Sequence, residues 1–238
     1  MRHIIIPLSL LVVSSTSFAA DSLTPEARAL IAPVHEAFVR LERQQAELPL
    51  PKSDSELLIR LGEIDQVGRD AKGKVDLSSL SPEQRTSAFA VINREINEHD
   101  RANEAALEAI VPAEGWFPIS RYGVDASEAA FQIVQHSVND VGLPEYDKDL
   151  QHTVLAAMER LLQKGEVNRQ DYALLYDRVH IFDGQPQLYG TQMKCREGKW
   201  VLDRLADPDH VNERRKDMGF ELTVEQNVAR FANRPQCS

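Results

Sequence analysis

The chain has 238 residues, 42% of them hydrophobic, which is enough to form one ordinary globular domain with an extension. It carries 27 basic and 37 acidic residues, a formal net charge of −10 at pH 7. An acidic surface of this kind repels phosphate backbones, and no compact basic stripe offsets it. The composition therefore argues against nucleic acid as a partner.

The first 19 residues have the pattern of a secretory signal peptide. A basic start at residues 1–3 precedes an apolar run from Ile4 to Val13, and small residues lead up to Ala19. The apolar run is too short to span a bilayer comfortably. We expect cleavage after Ala19, which would give an exported chain, periplasmic or secreted, with no membrane contact after cleavage.

Cys195 and Cys237 are the two cysteines of the sequence. An exported compartment permits disulfides, and a bridge between them would fasten the C-terminal tail to the preceding region. Two unrelated free thiols are the alternative. Sequence spacing does not decide between these, because it does not determine geometry.

Helical patterns dominate the chain up to about residue 176. Thr24-Pro25 predicts the start of a first helix, and the proline-rich stretch 48–51 follows its end, so residues 20–52 are predicted to form an N-terminal helical arm and linker. Residues 53–238 are predicted to form a single domain. Its helices are predicted at about 53–68, 81–110, 125–136, 145–164 and 168–176.

The stretch 177–192 differs from the helical pattern before it. Residues 179–182 are predicted as a strand, Asp183-Gly184 as a tight turn and 187–195 as the returning strand, to which residues 200–202 would add a third. The predicted fold class is therefore mainly α: a multi-helix, bundle-like domain with one small antiparallel β-hairpin or three-stranded meander near the C-terminus.

Polar side chains concentrate on this predicted hairpin and on the helix that ends near residue 136. Neutral amides, a hydroxyl and one guanidinium suit recognition of a carboxylate, a sugar or a peptide backbone. We predict a pocket beside the hairpin for a small polar ligand or peptide, lined by Gln135, His136, Arg178, Gln187, Tyr189, Thr191 and Gln192. The alternative is a buried network that only fastens the hairpin to the helices.

A hydrolase is the second hypothesis. His136 would act as general base, and Asp177 would orient it or activate water. Arg178 or Gln192 would stabilise an oxyanion, and Tyr189 would donate a proton.

A metal-dependent version of this hydrolase would add Asp65, His99 or Asp100 as ligands. His99-Asp100 alone is a weak signal that a solvated helix face explains better, so we predict neither a metal nor a cofactor. Asp65 and Arg69, four residues apart, suit an ion pair on one helix face. A periplasmic protein-interaction or inhibitor role is a third hypothesis, which the acidic charge permits without identifying the protein partner.

Many of these residues belong to one longer pattern. Its members are Asp65-Gln66 with Arg69, Gly115-Trp116, Gln135-His136, Gly165-Glu166, Asp177-Arg178, Gln187, residues 189–192, Gly198-Lys199-Trp200, residues 211–215 and Gly219. Over roughly residues 55–225, the chain resembles an uncharacterised bacterial family, domain of unknown function 6624. The resemblance implies that these polar residues form a shared pattern, and it implies no particular reaction.

Overall fold

The computed structural model describes residues 23–137 and 148–232, and this part of the chain is mainly helical. The helices are α1 (Pro25–Ala46), α2 (Asp54–Lys72), α3 (Pro82–Glu108), α4 (Ile119–Tyr122), α5 (Val124–His136), α6 (Lys148–Leu162), α7 (Arg169–Phe182), α8 (Val211–Asp217) and α9 (Val224–Ala232). Strands β1 (Met193–Arg196) and β2 (Lys199–Leu202) form one antiparallel hairpin. The predicted fold class is confirmed.

Local capping residues explain where four of the long helices begin. The side chains of Thr24, Ser53, Ser81 and Asn168 each accept a hydrogen bond from a backbone N–H in the first turn that follows. Helices α1 and α3 also have proline in the first turn, where the missing N–H costs nothing.

The hairpin lies later in the chain than the sequence predicted. Residues 179–182, predicted as a strand, form the last turn of α7. Asp183-Gly184 ends that helix instead of turning a hairpin: the N–H of Asp183 still donates to the carbonyl of Val179, and Gly184 has a φ of +76°. Glycine in the left-handed region stops helices as readily as it turns hairpins, so the dipeptide was ambiguous.

The true hairpin turn is Glu197-Gly198, where both residues have positive φ, +53° and +76°. Two consecutive positive φ values match the right-handed twist of the flanking strands. Residues 200–202, predicted as a third strand, belong to the second. Gln187, predicted to begin the returning strand, forms only an isolated parallel bridge with Leu205.

Two apolar clusters make up the core. The larger one is centred on α5, α6 and α7 and includes Trp116, Phe117 and Met158. The second lies between α1, α2 and α3, with Phe38 and Ile92 among its buried residues. The predicted N-terminal arm thus packs against the domain through α1.

Helices α2 and α5 approach each other closely, and this positions the site described below. A Cβ atom on Gly62 would lie 2.7 Å from the Cβ of Ala129. On the same helix, a Cβ on Gly68 would overlap the ring of Phe38 from α1. Glycine therefore lets α2 approach the backbone of α5 at Gly62 and lets it accommodate the Phe38 ring of α1 at Gly68, and Asp65 lies between these two contacts.

Three sequence predictions concern the chain ends. The predicted signal peptide and Cys237 lie outside the described residues. Cys195, on β1, is disulfide-bonded. Within the described ranges, no helix has both the length and the apolar character needed to cross a membrane.

Candidate functional site

The last residue of α5, His136, faces a buried carboxylate on α2. Its Nδ1 lies 3.0 Å from Oδ1 and 2.8 Å from Oδ2 of Asp65. The Asp65 side chain is 1% exposed and that of His136 is 23% exposed. A carboxylate at Nδ1 favours the tautomer with the proton on that nitrogen, which leaves a lone pair on Nε2. The pair can therefore orient an imidazole that still reaches the surface.

An ion pair between α2 and α3 lies behind Asp65. Arg69 donates from Nη1 and Nη2 to the two carboxylate oxygens of Asp100 at 2.9 and 2.8 Å. Its Nη1 also donates to the backbone carbonyl of Asp65 at 2.7 Å and, more weakly, to Asp65 Oδ1 at 3.3 Å. Burial raises the pKa of Asp100, and the hydrogen bond and charge of Arg69 oppose that rise. The predicted Asp65–Arg69 contact is present, but the guanidinium is bound chiefly by Asp100.

Two glutamines adjoin this carboxylate–imidazole pair. Gln66 donates from Nε2 to Asp65 Oδ2 at 2.6 Å, so the carboxylate of Asp65 has three side chains around it. Gln135 precedes His136, and its Oε1 is buried with no hydrogen-bond partner among the described residues. Such an atom is uncommon in a folded protein and marks a position where a donor would be stabilised.

Asp177 belongs to a second network, away from these bonds. Its fully buried carboxylate accepts hydrogen bonds from the N–H groups of Leu188, Tyr189 and Thr191 and from the Thr191 hydroxyl, at 2.7 to 3.2 Å. Burial raises the pKa of Asp177, whereas these hydrogen bonds oppose the rise. In the described part of the chain, no hydrogen bond joins Asp177 to His136, and the carboxylate that bonds His136 is that of Asp65.

Gln187 completes the second network. It is fully buried, its Nε2 donates to the carbonyls of Gln192 and Asp203, and its Oε1 accepts from the N–H of Gln192. Burial raises the pKa of Tyr189 to about 12, which makes its hydroxyl a weak proton donor near neutral pH. For Gln187, Tyr189 and Asp177, the structure therefore favours the alternative of a network that fastens the chain after α7.

The other predicted ligand-binding residues are divided between the two places. Gln135 and His136 lie at the end of α5. Thr191 and Gln192 lie in the loop after α7, where Gln192 Nε2 donates to Thr191 Oγ1 at 3.0 Å. Arg178 is on α7, with its guanidinium 5.6 Å from the ring centroid of Phe182. The predicted set thus contains members of two distinct networks.

Two arginines of α8 hold the other side of the loop, and no role was predicted for them. Arg215 is 3% exposed and donates to the carbonyl of Tyr189 at 2.9 Å, while Arg214 donates to the carbonyl of Leu188 at 2.9 Å. The loop thus gives its N–H groups to Asp177 and its carbonyls to arginines. The run of charged residues at 213–217 was the available signal, but it also fits a solvated helix.

The two α3 residues that a metal-dependent version would use contact different partners. His99 stacks on Phe38 with ring centroids 3.8 Å apart, whereas Asp100 is bound by Arg69. Across residues 23–137 and 148–232, no three His, Cys, Asp or Glu side chains are grouped so that they could hold a metal ion.

Two surface grooves lie apart from the carboxylate–imidazole pair. One of about 350 Å³ lies between the beginnings of α5 and α7, and one of about 390 Å³ lies between β2 and α9. Within the described residues, neither His136 nor Asp65 lines either groove. The candidate site is therefore defined by its hydrogen bonds and by the partial exposure of His136.

The fold and the site define the class of protein: a helical domain in which an imidazole is bonded to a buried carboxylate. The chain belongs to a family of unknown function (DUF6624), whose model matches residues 54–231. The match begins with the first residue of α2 and ends within α9, so both polar networks lie inside it and α1 lies outside. No curated protein and no solved structure matches the chain.

Proposed function

We propose that the protein is a hydrolytic enzyme for a small polar substrate, with His136 as general base and Asp65 as the residue that orients it. One observation carries the proposal: Nδ1 of a partly exposed imidazole lies within hydrogen-bond distance of both oxygens of a buried carboxylate. Such a carboxylate fixes the ring orientation and stabilises the imidazolium formed when Nε2 accepts a proton.

A comparison with a second histidine–aspartate pair supports this choice. His152 and Asp183 are 2.7 Å apart, but their side chains are 45% and 38% exposed. Exposed pairs of this kind hold their geometry weakly. Asp65 is instead buried and held by Gln66 and Arg69. Since a buried ionic network costs more to desolvate than apolar packing, its presence beside an exposed ring suits a chemical role.

The proposal places this activity outside the cytoplasm. The pattern of residues 1–19 and the disulfide at Cys195 support export, because disulfides persist in oxidising compartments. Intact-mass measurement of the protein from the periplasmic fraction or the medium should give a chain that begins at Ala20. Recovery of only the uncut chain from the cytoplasm would contradict export.

A binding protein without catalysis is the second candidate. The buried Oε1 of Gln135, next to His136, favours it: this atom has no hydrogen-bond partner in residues 23–137 and 148–232, and an N–H or hydroxyl group of a polar ligand or peptide would supply a donor. Both candidates use the end of α5, and they differ in whether a bound molecule is converted.

The first experiment tests His136 without knowledge of the substrate. We expect its imidazole to react with diethyl pyrocarbonate at pH 7 at least as fast as that of His152, although it is about half as exposed. Asp65→Asn should slow the reaction at His136 and leave the rate at His152 unchanged. Peptide mass spectrometry gives both rates from one sample. The proposal would be refuted if His136 reacted more slowly than His152 in proportion to its lower exposure and if Asp65→Asn left the rate at His136 unchanged.

The second experiment measures turnover of p-nitrophenyl esters, bis-p-nitrophenyl phosphate and peptide p-nitroanilides. For a substrate that is hydrolysed, His136→Gln should lower the rate by about 10²- to 10⁴-fold, the usual contribution of a general base. His152→Gln is the matched control and should retain the full rate. Equal rates in wild type and His136→Gln would rule out the catalytic role. A molecule that raises the Tm of wild type, but not of His136→Gln, and is never converted would favour the binding protein.

A further inference from the structure

Arg69 lies between the carboxylates of Asp65 and Asp100 and can donate hydrogen bonds to either. Its bonds to Asp100 are two and short, at 2.9 and 2.8 Å, while its contact with Asp65 Oδ1 is a single bond of 3.3 Å. Two parallel bonds between a guanidinium and a carboxylate are stronger and more directional than one. Of the two carboxylates, Arg69 thus binds mainly that of Asp100 on α3, while its bond of 2.7 Å to the backbone carbonyl of Asp65 keeps it beside α2.

The same oxygen of Asp65 is contacted from two sides. His136 Nδ1 is 3.0 Å from Asp65 Oδ1, and Arg69 Nη1 is 3.3 Å from it. A guanidinium that moved a few tenths of an ångström closer would form a full-strength bond there. It would then compete with the imidazole for the carboxylate and neutralise the charge that stabilises an imidazolium.

We propose that Asp100 is a positioning residue: by binding Arg69 through both of its oxygens, it leaves the carboxylate of Asp65 to His136. The meaning of this role for catalysis rests on the proposed function, but the geometry can be tested without turnover. Among the described residues, no hydrogen bond joins Asp100 to the imidazole, so its effect on the hydrogen bonding of the ring passes through Arg69 and Asp65.

The electrostatics of the cluster agree with this arrangement. Two carboxylates and one guanidinium leave one negative charge, which a protonated His136 would balance. Burial raises the pKa of Asp100, and the hydrogen bond and charge of Arg69 oppose that rise. The charges of Asp65, which raises the pKa, and of His136, which lowers it, have smaller effects. The four side chains therefore act as one charged unit in which Asp100 determines the placement of the Arg69 guanidinium.

The test reads the tautomer of His136 from the ¹⁵N chemical shifts of its ring in histidine-labelled protein, under conditions where the ring is neutral. His136→Gln assigns the signal. Wild type should have the proton on Nδ1. In Asp100→Asn, Arg69 is released towards Asp65, and the Nδ1–H form should fall to a mixture with Nε2–H. In Arg69→Met/Asp100→Asn, the competitor is gone and the Nδ1–H form should return.

Asp70→Asn is the matched control, because Asp70 is an exposed carboxylate on α2, next to Arg69 in sequence. It removes the same charge and should leave the tautomer as in wild type. An unchanged tautomer in Asp100→Asn, or a double variant that does not regain the Nδ1–H form, would overturn the proposal. If Asp100→Asn does not fold, the test uses Arg69→Met/Asp100→Asn alone. A folded double variant whose His136 carries the proton on Nε2 would refute the positioning role.

The outcome separates the two proposals. If a hydrolysed substrate is known, Asp100→Asn should lower kcat by about tenfold with little change in KM, since the residue touches no substrate, and the double variant should recover part of that loss. The predicted tautomer changes in a protein that hydrolyses nothing would support the positioning role and count against the hydrolase.

Discussion

The close contact between α2 and α5 makes Gly62→Ala a sensitive test of the site geometry. The added Cβ would lie 2.7 Å from the Cβ and 3.3 Å from the Cα of Ala129. Carbon atoms pack at roughly 3.5 to 4 Å, so the helices must separate by about 1 Å. Overpacking of this kind costs about 1 to 3 kcal/mol, and the better helix propensity of alanine returns about 0.5 to 1 kcal/mol. We expect a net loss of about 0 to 2.5 kcal/mol.

The same separation acts on the candidate site one turn further along α2. A shift of about 1 Å would lengthen the 2.8 Å contact between His136 and Asp65 beyond hydrogen-bond range. Reactivity of His136 with diethyl pyrocarbonate should therefore lose its dependence on Asp65. Urea denaturation measures the stability, and the reaction rate measures the site.

Gly73→Ala is the matched control for this prediction. Gly73 ends α2 with a φ of −61°, and the nearest atom to an added Cβ is 3.5 Å away, so this variant should be as stable as wild type or more so. Gly62→Ala/Ala129→Gly moves the methyl group to the other helix and should restore stability to within about 1 kcal/mol of wild type. If Gly62→Ala is as stable as Gly73→Ala and keeps the site reactivity, the close contact does not position the site.

Two buried carboxylates outside the site give further predictions. Burial, and to a smaller extent the charge of Glu128, raises the pKa of Asp171 from 3.8 to about 7. The folded protein therefore binds this proton more tightly than the unfolded chain, and the resulting stabilisation is complete below pH 4 and is lost as the pH rises towards 7. Asp171→Asn should therefore stabilise the fold at pH 8 by up to roughly 4 kcal/mol and change little at pH 4; equal urea midpoint shifts at both pH values would contradict this. Asp177→Asn places an amide NH₂ group against the N–H donors of its loop and should cost about 3 to 5 kcal/mol in urea denaturation. The exposed Asp183→Asn should cost less than about 1 kcal/mol, and similar losses in both variants would refute the role of the loop.

The positions of the helices could be predicted from the sequence because capping residues and first-turn prolines are local signals. The helices capped by Thr24, Ser53, Ser81 and Asn168 begin within one residue of the predicted starts. The misplaced hairpin has an equally local cause. Valine, isoleucine and phenylalanine at 179–182 favour a strand by composition, but packing of α7 against α5 and α6 keeps these residues helical.

The candidate site could be predicted only in part from the sequence. His136 was predicted as a site residue, and Asp65 was predicted to form an ion pair with Arg69. The bond between His136 and Asp65 joins residues 71 positions apart, and it depends on the contact of Gly62 with Ala129. No local pattern carries that information. Asp177 was predicted to orient His136, but an aspartate directly after an apolar helix segment fits a structural carboxylate equally well.

The two networks satisfy a buried carboxylate in different ways, and the difference explains why function is placed in only one of them. Asp177 is bound by three backbone N–H groups and a hydroxyl, none of which changes protonation near neutral pH. Its bonds can hold a loop but cannot move a proton. Asp65 is bound by side chains, one of which is an imidazole that reaches the surface. A proton taken up at His136 is stabilised at once by the adjacent carboxylate, so the end of α5 has the means for acid–base chemistry that the loop after α7 lacks.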